Sequence, residues 1–310
     1  MKRARSPRAD LLVYLAVRIV VCIIQALPFP IARRLAFGLS WLAYHVDRRH
    51  REVARDNLYH AFTELRDHSA KCDRLVRECY RHLCLVLIEL AFLPRKLHSH
   101  NWREYITLVG FPPLVEGMLS DRPLLMVTGH FGNWEMAGFL IGVLGFRSYA
   151  IARTLDNPHL ERFLKKFRQK TGQTILSKNG DFDNISNVLA SGGKLATLGD
   201  QDAGERGLFV NFFNRPASTH KAVALMALQF EVPMIVVGVP RVGHPMKYEV
   251  IIEDAIFPEE YRDRPNAVRE ITERYTAALE RLARRHPEQY FWLHRRWKHQ
   301  PRARSAKRAA

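Results

Sequence analysis

Cysteine is scarce in this 310-residue chain, and its few thiols form no recognisable framework. The four cysteines are Cys22, Cys72, Cys79 and Cys84, and no two of them have Cys-x-x-Cys spacing. The last three lie in one helical pattern, which predicts buried free thiols and favours a reducing compartment. His98 and His100 are followed by no acidic or sulfur ligand at the spacing of a metal site, so we expect no bound metal.

The chain also lacks a clean apolar run of the ~20 residues that a transmembrane helix requires. The longest candidate, residues 11–27, is interrupted by Arg18 and Gln25. Arg18 would be costly in hydrocarbon, and no small-x-small cleavage site follows, as a secretory signal would require. A second apolar helix, with arginines on one side, is predicted for residues 31–46. The two helices predict an N-terminal membrane anchor that penetrates only partly; the alternative is a pair of buried core helices.

Acidic residues are outnumbered, since 31 Asp and Glu against 48 Lys and Arg give a net charge of +17. Basic tails contact nucleic acid, anionic lipid or acidic proteins, and a solvated tail that binds nothing specific is the alternative. We divide the chain into a basic N-terminus with anchor helices (1–46), a folded domain (47–300) and a basic C-terminal tail (301–310). Much of the excess charge lies before the first acid and after the last, at Lys2, Arg3, Arg5, Arg8, Arg295, Arg296, Lys298, Arg302, Arg304, Lys307 and Arg308.

The apolar pattern changes near residue 105 from helices alone to strands alternating with helices. Before this point, a third long helix is predicted for residues 69–93, ending at Pro94. Alternation predicts an α/β fold with a mostly parallel central sheet flanked by helices, and sites in such sheets gather at the carboxyl ends of strands. The predicted strands are 124–128, 149–152, 195–198, 234–239 and 248–252, and the predicted helices are 132–144, 158–171, 182–190, 220–230 and 267–286.

A histidine directly follows the first of these strands, in the segment PLLMVTGHFGNWE at residues 123–135. A histidine at a strand end, with a carboxylate next to it, is the arrangement of a general base that takes a proton from a hydroxyl, and His130 could be such a base. Glu135 lies about 140° from His130 on a continuous helix, so the two meet only if His130 lies in the turn. Gly129 and Gly132 permit such a bend. A surface histidine on an ordinary strand-to-helix connection is the alternative.

Polar side chains also follow two other predicted strands. Arg153 comes after strand 149–152, where a guanidinium could hold a phosphate or stabilise an oxyanion. A salt bridge with Asp156 or a solvated loop arginine is the alternative. Strand 195–198 leads into a long loop, 199–219, and long loops in compact domains are often functional.

The 199–219 loop contains both acidic and aromatic residues. Asp200 and Asp202 resemble the two carboxylates of a metal or acid-base pair, although Arg206 could neutralise one of them. The aromatic residues Phe209, Phe212 and Phe213 could wall a pocket for a long apolar group, or they could plug the core under the loop.

Aromatic residues and cations alternate in the segment PEQYFWLHRRWK, residues 287–298, which includes Arg295 and Arg296. Tryptophan and tyrosine suit a membrane interface, and arginine suits phosphate. The same mixture could stack single-stranded nucleic acid, so the segment alone leaves both interpretations open.

Five blocks, in order over nearly the whole chain, resemble the bacterial lipid A late acyltransferases, the lauroyl and myristoyl transferase family of the lysophospholipid acyltransferase superfamily. They are the arginine-rich stretch from residue 48 that ends in Arg-Asp-Asn-Leu, GHFGNWE at 129–135, ARTLDNP at 152–158, the DQDAG and GLFVNFF segments within 200–213, and residues 287–298. Many members have a polar segment similar to Thr-Thr-Leu between the histidine and the acid. In this sequence the segment contains Gly-Asn-Trp at 132–134, which also resembles relatives that acylate phosphatidylinositol mannosides or other glycolipids.

The resemblance implies a glycerolphosphate acyltransferase-like fold behind membrane-associated helices, at the cytoplasmic face of the bacterial inner membrane. It implies transfer of a fatty acyl chain from acyl carrier protein to a hydroxyl of a lipid A precursor, with no cofactor. His130 and Glu135 match the catalytic pair, Glu135 orienting His130 as the general base. The resemblance implies that Arg153, Asp200 and Asp202 belong to the site. With them, we expect these residues to bind substrate: Asn133, Arg206, Phe209, Phe212, Phe213, Arg295 and Arg296.

The expected partners are acyl carrier protein, a phosphorylated glycolipid acceptor and the anionic surface of the inner membrane, but no nucleic acid. One alternative keeps the chemistry and changes the acceptor to another glycolipid or glycerolipid. The other is a non-catalytic basic protein that binds a membrane or nucleic acid.

Overall fold

The N-terminal part of the chain is helical in the computed structural model, which describes residues 6–177 and 182–301. Helices α1 to α4 span Pro7–Ala26, Phe29–Val46, Arg48–Ala61 and Ser69–Lys96, and a 3-10 helix spans Thr63–Asp67. Parts of the predicted basic ends lie outside the described residues, namely Lys2, Arg3, Arg5, Arg302, Arg304, Lys307 and Arg308.

Helix α4 continues through Pro94, so its predicted end at residue 93 is wrong. Proline within a helix removes one backbone hydrogen bond. Pro94 lies in the last turn, where that loss interrupts little, and the Leu97 N–H still donates to the Leu93 carbonyl at 2.9 Å.

A seven-stranded sheet forms the centre of the remaining chain. The strands β1 to β9 span Ile106–Val109, Leu124–Thr128, Ser148–Ala152, Gln173–Ser177, Lys194–Leu198, Leu208–Phe212, Arg215–Thr219, Met234–Gly238 and Tyr248–Ile256. The order in the sheet is β1-β9-β8-β2-β5-β3-β4, and the five neighbouring strands β8, β2, β5, β3 and β4 run parallel to one another. Strand β9 is antiparallel to β8, and β1 is parallel to β9. This confirms the predicted α/β class with a mostly parallel sheet.

Helices connect and cover these strands. Helices α5 to α10 span Pro112–Leu119, Trp134–Val143, Pro158–Gln169, Phe182–Ala190, Ala222–Gln229 and Ala267–Arg285, and further 3-10 helices span Trp102–Glu104, Pro258–Tyr261 and Pro287–Gln289. Helix α6 follows β2, and α10 packs against β6, β8 and β9.

Most predicted elements are present, with ends shifted by a few residues, but four strands were missed. Strands β1 and β4 are the two edges of the sheet and are short. Strands β6 and β7 form a separate antiparallel hairpin inside the segment predicted as the 199–219 loop. Phe213 and Asn214 turn that hairpin with positive φ angles of 53° and 57°, a conformation that composition alone does not indicate.

The first two helices leave large apolar side chains exposed. Helix α1 is long and apolar enough to cross a membrane, with a mean hydropathy of 2.0, and little of it is buried. Helix α2 buries one stripe against α4 and exposes the other. The alternative of two buried core helices is therefore wrong. The exposed side chains are Leu11, Leu12, Val13, Leu15, Ile19, Val20 and Ile23 in α1, and Ile31, Leu35, Leu39, Trp41, Leu42 and Val46 in α2.

One side of α1 packs against α7. The Arg18 guanidinium lies 5.0 Å from the ring centroid of Phe163, and the Tyr14 ring stacks on His159 at 5.7 Å. At the helix start, the Asn157 side chain donates to the Asp10 carbonyl at 2.8 Å. The arginine that interrupts the apolar run therefore has an aromatic partner within the protein.

Candidate active site

His130 and Asp200 meet at the carboxyl ends of two neighbouring strands. His130 follows β2 in a turn at residues 129–133, and Asp200 follows β5, which pairs with β2. One oxygen of the Asp200 carboxylate lies 2.8 Å from His130 Nδ1, and the other accepts from the His130 backbone N–H at 2.7 Å. A single buried carboxylate thus fixes both the ring and the backbone of the histidine.

The surroundings of His130 raise its pKa. Burial alone would lower the pKa of the imidazole, but the charge and hydrogen bond of Asp200, with the charge of Glu135, outweigh it. Burial would raise the pKa of Asp200, yet His130 and the guanidinium of Arg296 hold it below its usual value. Asp200 therefore stays ionised and accepts a hydrogen bond from the N–H at Nδ1 of His130.

This arrangement leaves Nε2 of His130 as the basic nitrogen. An ionised carboxylate only accepts hydrogen bonds, so the proton of neutral His130 is on Nδ1. The Gln201 amide nitrogen lies 3.5 Å from Nε2. The rings of Trp134 and Phe291 flank the imidazole, at centroid distances of 5.2 and 5.8 Å. His130 can therefore take a proton from a hydroxyl placed at Nε2.

An apolar cavity begins beside this histidine. Thr128 at the end of β2 and Trp134 at the start of α6 line it. Small side chains of the sheet, Ala150, Ala152 and Ala196, line it as well. The cavity has a volume of about 90 Å³, well above the ~10–15 Å³ that one water needs. Its polar groups are few, and two of them are the charges of Glu135 and Arg168.

Glu135 does not make the hydrogen bond to His130 that the sequence predicts. Its carboxylate forms a two-pronged ion pair with Arg168 of α7, one bond measuring 2.9 Å and the other shorter. Both side chains are largely buried. Glu135 still acts on His130 through its charge, which raises the imidazole pKa. The orienting hydrogen bond itself comes from Asp200.

A buried polar network holds the turn after His130. His82 of α4 lies 3.0 Å from the Gly132 carbonyl through Nε2 and 3.0 Å from the Arg241 guanidinium through Nδ1. Burial, followed by the Arg241 charge, lowers the pKa of His82 to about 3, so its ring is neutral, donating to Gly132 and accepting from Arg241. Arg241 in turn pairs with the fully buried Glu89, at 2.6 Å.

Gly132 is required where it stands. Its φ is +58°, and a Cβ placed there would lie 2.0 Å from the Val239 carbonyl oxygen. We expect Gly132→Ala to lower the free energy of unfolding by about 1–3 kcal/mol, as other overpacked sites do, and to lower activity by displacing His130. Gly145→Ala is the matched control, because φ there is +88° but nothing lies within 4 Å. Equal thermal unfolding shifts in the two variants would contradict the close-packing argument.

The other predicted polar residues are dispersed. Arg153 is mostly exposed at the end of β3, with its guanidinium 3.8 Å from Asp156. Asn133 is buried, caps α6 through the Met136 N–H, and lies 3.2 Å from the Tyr248 hydroxyl, so it faces the network rather than the cavity. Asp202 pairs with His299 at 2.6 Å.

The predicted aromatic wall belongs to the core. Phe212 and Phe213 are buried and pack against the tryptophans of the C-terminal segment. Phe209 is half-buried in β6, and Arg206 is exposed. None of these four lines the cavity beside His130.

The two arginines of the C-terminal segment differ completely in environment. Arg295 is exposed, whereas Arg296 is buried and donates to the Ser218 carbonyl and the Thr219 hydroxyl at 2.6 and 2.7 Å. Its charge acts on Asp200, whose pKa it helps to lower. Arg296 therefore supports the histidine's partner from inside the protein.

The C-terminal segment also holds the turn at residues 129–133 through its backbone. The Phe291 N–H donates to the His130 carbonyl, and the Gly132 N–H donates to the Gln289 carbonyl, both at 3.0 Å. Asn57 of α3 ties this segment down by donating to the Trp292 and His294 carbonyls at 2.6 and 2.8 Å. Three sequence blocks that are far apart along the chain thus form one support.

Sequence reasoning missed Arg168 and the His82–Glu89–Arg241 network. These residues stand inside ordinary amphipathic helices or after a strand, where charges are common. One signal was available for Asn57, which lies in the Arg-Asp-Asn-Leu block without an assigned role. Nothing in the local pattern indicated the partner of Arg168.

Comparisons with known proteins cover almost the whole chain. The model of the family described as bacterial lipid A biosynthesis acyltransferase matches residues 2–299. A lipid A biosynthesis palmitoleoyltransferase of Escherichia coli K12 is 25% identical over 282 residues, 89% of this chain and 87% of its own length. A lipid A biosynthesis lauroyltransferase of the same strain is 24% identical over 294 residues, 94% and 92% of the two chains. A lipid A biosynthesis acyltransferase of Haemophilus influenzae is 25% identical over 285 residues, 90% and 88%.

Proposed function

Because the chain belongs to the family of bacterial lipid A biosynthesis acyltransferases and is an acyltransferase, we propose that it transfers a fatty acyl chain from acyl carrier protein to a hydroxyl of a lipid A precursor. The observation that carries this proposal is the basic Nε2 of His130 next to an apolar cavity, to which it is joined by Trp134, whose ring contacts His130 and lines the cavity. A base beside a slot for an apolar tail is what acyl transfer to a hydroxyl requires.

The proposed reaction proceeds in two stages. His130 Nε2 takes the proton of the acceptor hydroxyl, and the oxygen attacks the carbonyl carbon of the acyl thioester. The tetrahedral intermediate then collapses, the carbon–sulfur bond breaks, and the imidazolium returns its proton to the leaving thiolate. The products are the acyl ester and the free thiol of the carrier.

Each neighbour of His130 has a distinct part in this proposal. Asp200 orients the ring and stabilises the imidazolium, while Glu135 adds negative charge and holds Arg168 at the cavity. The N-terminus of α6 begins at Trp134 beside the histidine, and its partial positive charge favours a developing oxyanion.

The basic surface supports both proposed partners. Exposed Arg153, like His130, stands at the carboxyl end of a strand of the sheet. The basic residues Arg162, Lys165 and Lys166 line a depression between α7 and the preceding loop, together with Asp156 and Glu161. Guanidinium and ammonium groups bind phosphates and carboxylates. We propose that Arg153 and Arg295 meet the phosphates of the acceptor, and that this charge attracts the acidic carrier protein.

The exposed apolar faces of α1 and α2 support a place at a membrane, which we propose is the cytoplasmic face of the inner membrane. Helix α1 packs on α7, which carries Arg162, Lys165 and Lys166. Crossing the bilayer in that arrangement would draw those charges toward hydrocarbon at high cost. We therefore propose that α1 lies along the interface, with its apolar side in the lipid.

The test is acyl transfer from acyl carrier protein to a tetra-acylated lipid A precursor, measured in membranes that contain the full-length protein. A parallel panel offers a phosphatidylinositol mannoside and a glycerolipid as acceptors. Product on the lipid A precursor alone supports the proposal. Product only on another lipid keeps the chemistry and overturns the acceptor, and thioester breakdown with no acylated lipid overturns all three acceptors tested.

Glu135→Gln separates its role from that of Asp200. We expect kcat to fall about tenfold, a change of about 1.4 kcal/mol in the activation barrier, because a nearby charge is lost but the orienting bond remains. The matched variant is Arg168→Gln, and the double variant shows whether the two losses are coupled. A loss as large as that of His130→Ala would return the orienting role to Glu135.

A further inference from the structure

A second apolar cavity abuts the one beside His130. It lies under α5 and α6, has a volume of about 80 Å³, and every side chain that lines it is apolar. Four residues line both cavities: Met126 of β2, Val237 of β8, and Ala137 and Ile141 of α6. The partition between the two spaces is therefore one side chain thick.

The two cavities follow α6 from its start to its end. Trp134, next to His130, lines only the first cavity; Ala137 and Ile141, one turn apart, line both; and Leu144 lines only the second. At 1.5 Å per residue, Ile141 is ~10 Å and Leu144 ~15 Å from Trp134 along the helix. Half the thickness of a bilayer's hydrocarbon, the reach of one lipid chain, is also ~15 Å.

We propose that the tail of the acyl donor occupies the first cavity, and that Met126 and Ile141 set the longest chain accepted by closing the second. This inference rests on the proposed function. A longer tail must displace these two side chains. Methionine is unbranched and adaptable, whereas the branched Ile141 is stiff at χ1 in a helix. Ile141 is therefore the main stop.

Truncating Ile141 joins the two cavities. In Ile141→Ala we expect the most favoured acyl chain to lengthen by at least one step in a series from octanoyl to stearoyl. The rate ratio of the longer to the original chain should rise about tenfold or more, since one methylene in an apolar pocket is worth ~10–200-fold in discrimination. Val143→Ala is the control, because Val143 is on the same helix but lines neither cavity.

Filling the second cavity should cancel that gain. Leu114 of α5 lines only the second cavity, and Leu114→Trp added to Ile141→Ala is expected to restore the original chain preference. Ala137→Leu, which thickens the partition, should shorten the preferred chain and serves if the truncated variant is unstable. An unchanged preference in Ile141→Ala, or a gain that survives Leu114→Trp, overturns the proposal.

A binding measurement keeps this test separate from the proposed function. Purified full-length protein in detergent is loaded with a fluorescent fatty acid, which saturated fatty acids of increasing length then displace. If the wild type transfers no acyl chain to lipid A but Ile141→Ala shifts the displacement series to longer chains, the proposed function fails and the chain stop holds. Normal transfer with identical displacement series in both proteins overturns the chain stop alone.

Discussion

Replacing His130 by alanine is expected to lower the turnover number for acyl transfer by ~10²–10⁴-fold, the usual contribution of a general base. The physical reason is that Nε2 of His130 is the basic nitrogen, because Nδ1 is hydrogen-bonded to Asp200. Without it, the acceptor hydroxyl must lose its proton to water. The measurement is the initial rate of transfer from acyl carrier protein at saturating acceptor.

The control for this variant is His100→Ala, which removes an exposed histidine far along the chain from the catalytic turn. Displacement of a bound fluorescent fatty acid and an unchanged thermal unfolding midpoint would show that the cavity and the fold survive in His130→Ala. A loss below about tenfold in a folded protein would contradict the general-base role.

Asp200→Asn should be nearly as damaging, although it changes only one atom's identity. Asp200 accepts two hydrogen bonds, from the ring and from the backbone of His130. Asparagine offers one oxygen and one NH₂ group, so it must lose the backbone bond or present a donor to Nδ1. The second choice favours the tautomer with the proton on Nε2, which cannot act as base. Loss of an orienting aspartate costs up to ~10⁴ in kcat in triad enzymes.

The same variant should move the pH profile. Asp200 raises the pKa of His130, so in the wild type kcat/KM should fall with decreasing pH through a pKa above the ordinary imidazole value of about 6.5. In Asp200→Asn the raising charge is gone and burial still lowers the pKa. The acid limb should therefore move to lower pH, while the plateau rate drops.

The control is Asp254→Asn, which removes a largely buried carboxylate that pairs with Arg274 instead of a catalytic group. That variant should lose stability without moving the pH profile. An acid limb that stays in place in Asp200→Asn would contradict the assignment of Asp200 as the partner of His130.

The sequence singles out both His130 and Asp200, but it does not indicate that the two are partners. Strand-helix alternation and the two glycines place His130 at a strand end, because both signals are local in the chain. Asp200 is 70 positions away, and its contact depends on β5 lying beside β2, a neighbour relation that apolar periodicity does not reveal. Glu135 was therefore the nearest visible acid, and Arg168, its actual partner, was hidden in an ordinary amphipathic helix.

The sequence leaves two places open for the aromatic residues, the wall of a pocket or the core. Phe209, Phe212 and Phe213 stand in a segment whose glycines and acids suggest a loop. The β6–β7 hairpin directs Phe212 and Phe213 into the core against Trp292 and Trp297. Alanines and a glycine line part of the cavity beside His130, and small residues give no signal until their neighbours in space are known.

The backbone hydrogen bonds that join Gln289 and Phe291 to the turn at residues 129–133 also bear on how the enzyme folds while it is being synthesised. A polypeptide leaves the ribosome N-terminus first, so the apolar helices α1 and α2 emerge long before these two residues are made. Until then, the turn that carries His130 lacks both of these backbone hydrogen bonds. We therefore expect a nascent chain that has not yet reached residue 291 to hold His130 loosely, and to become active only once residues 289–291 have been added.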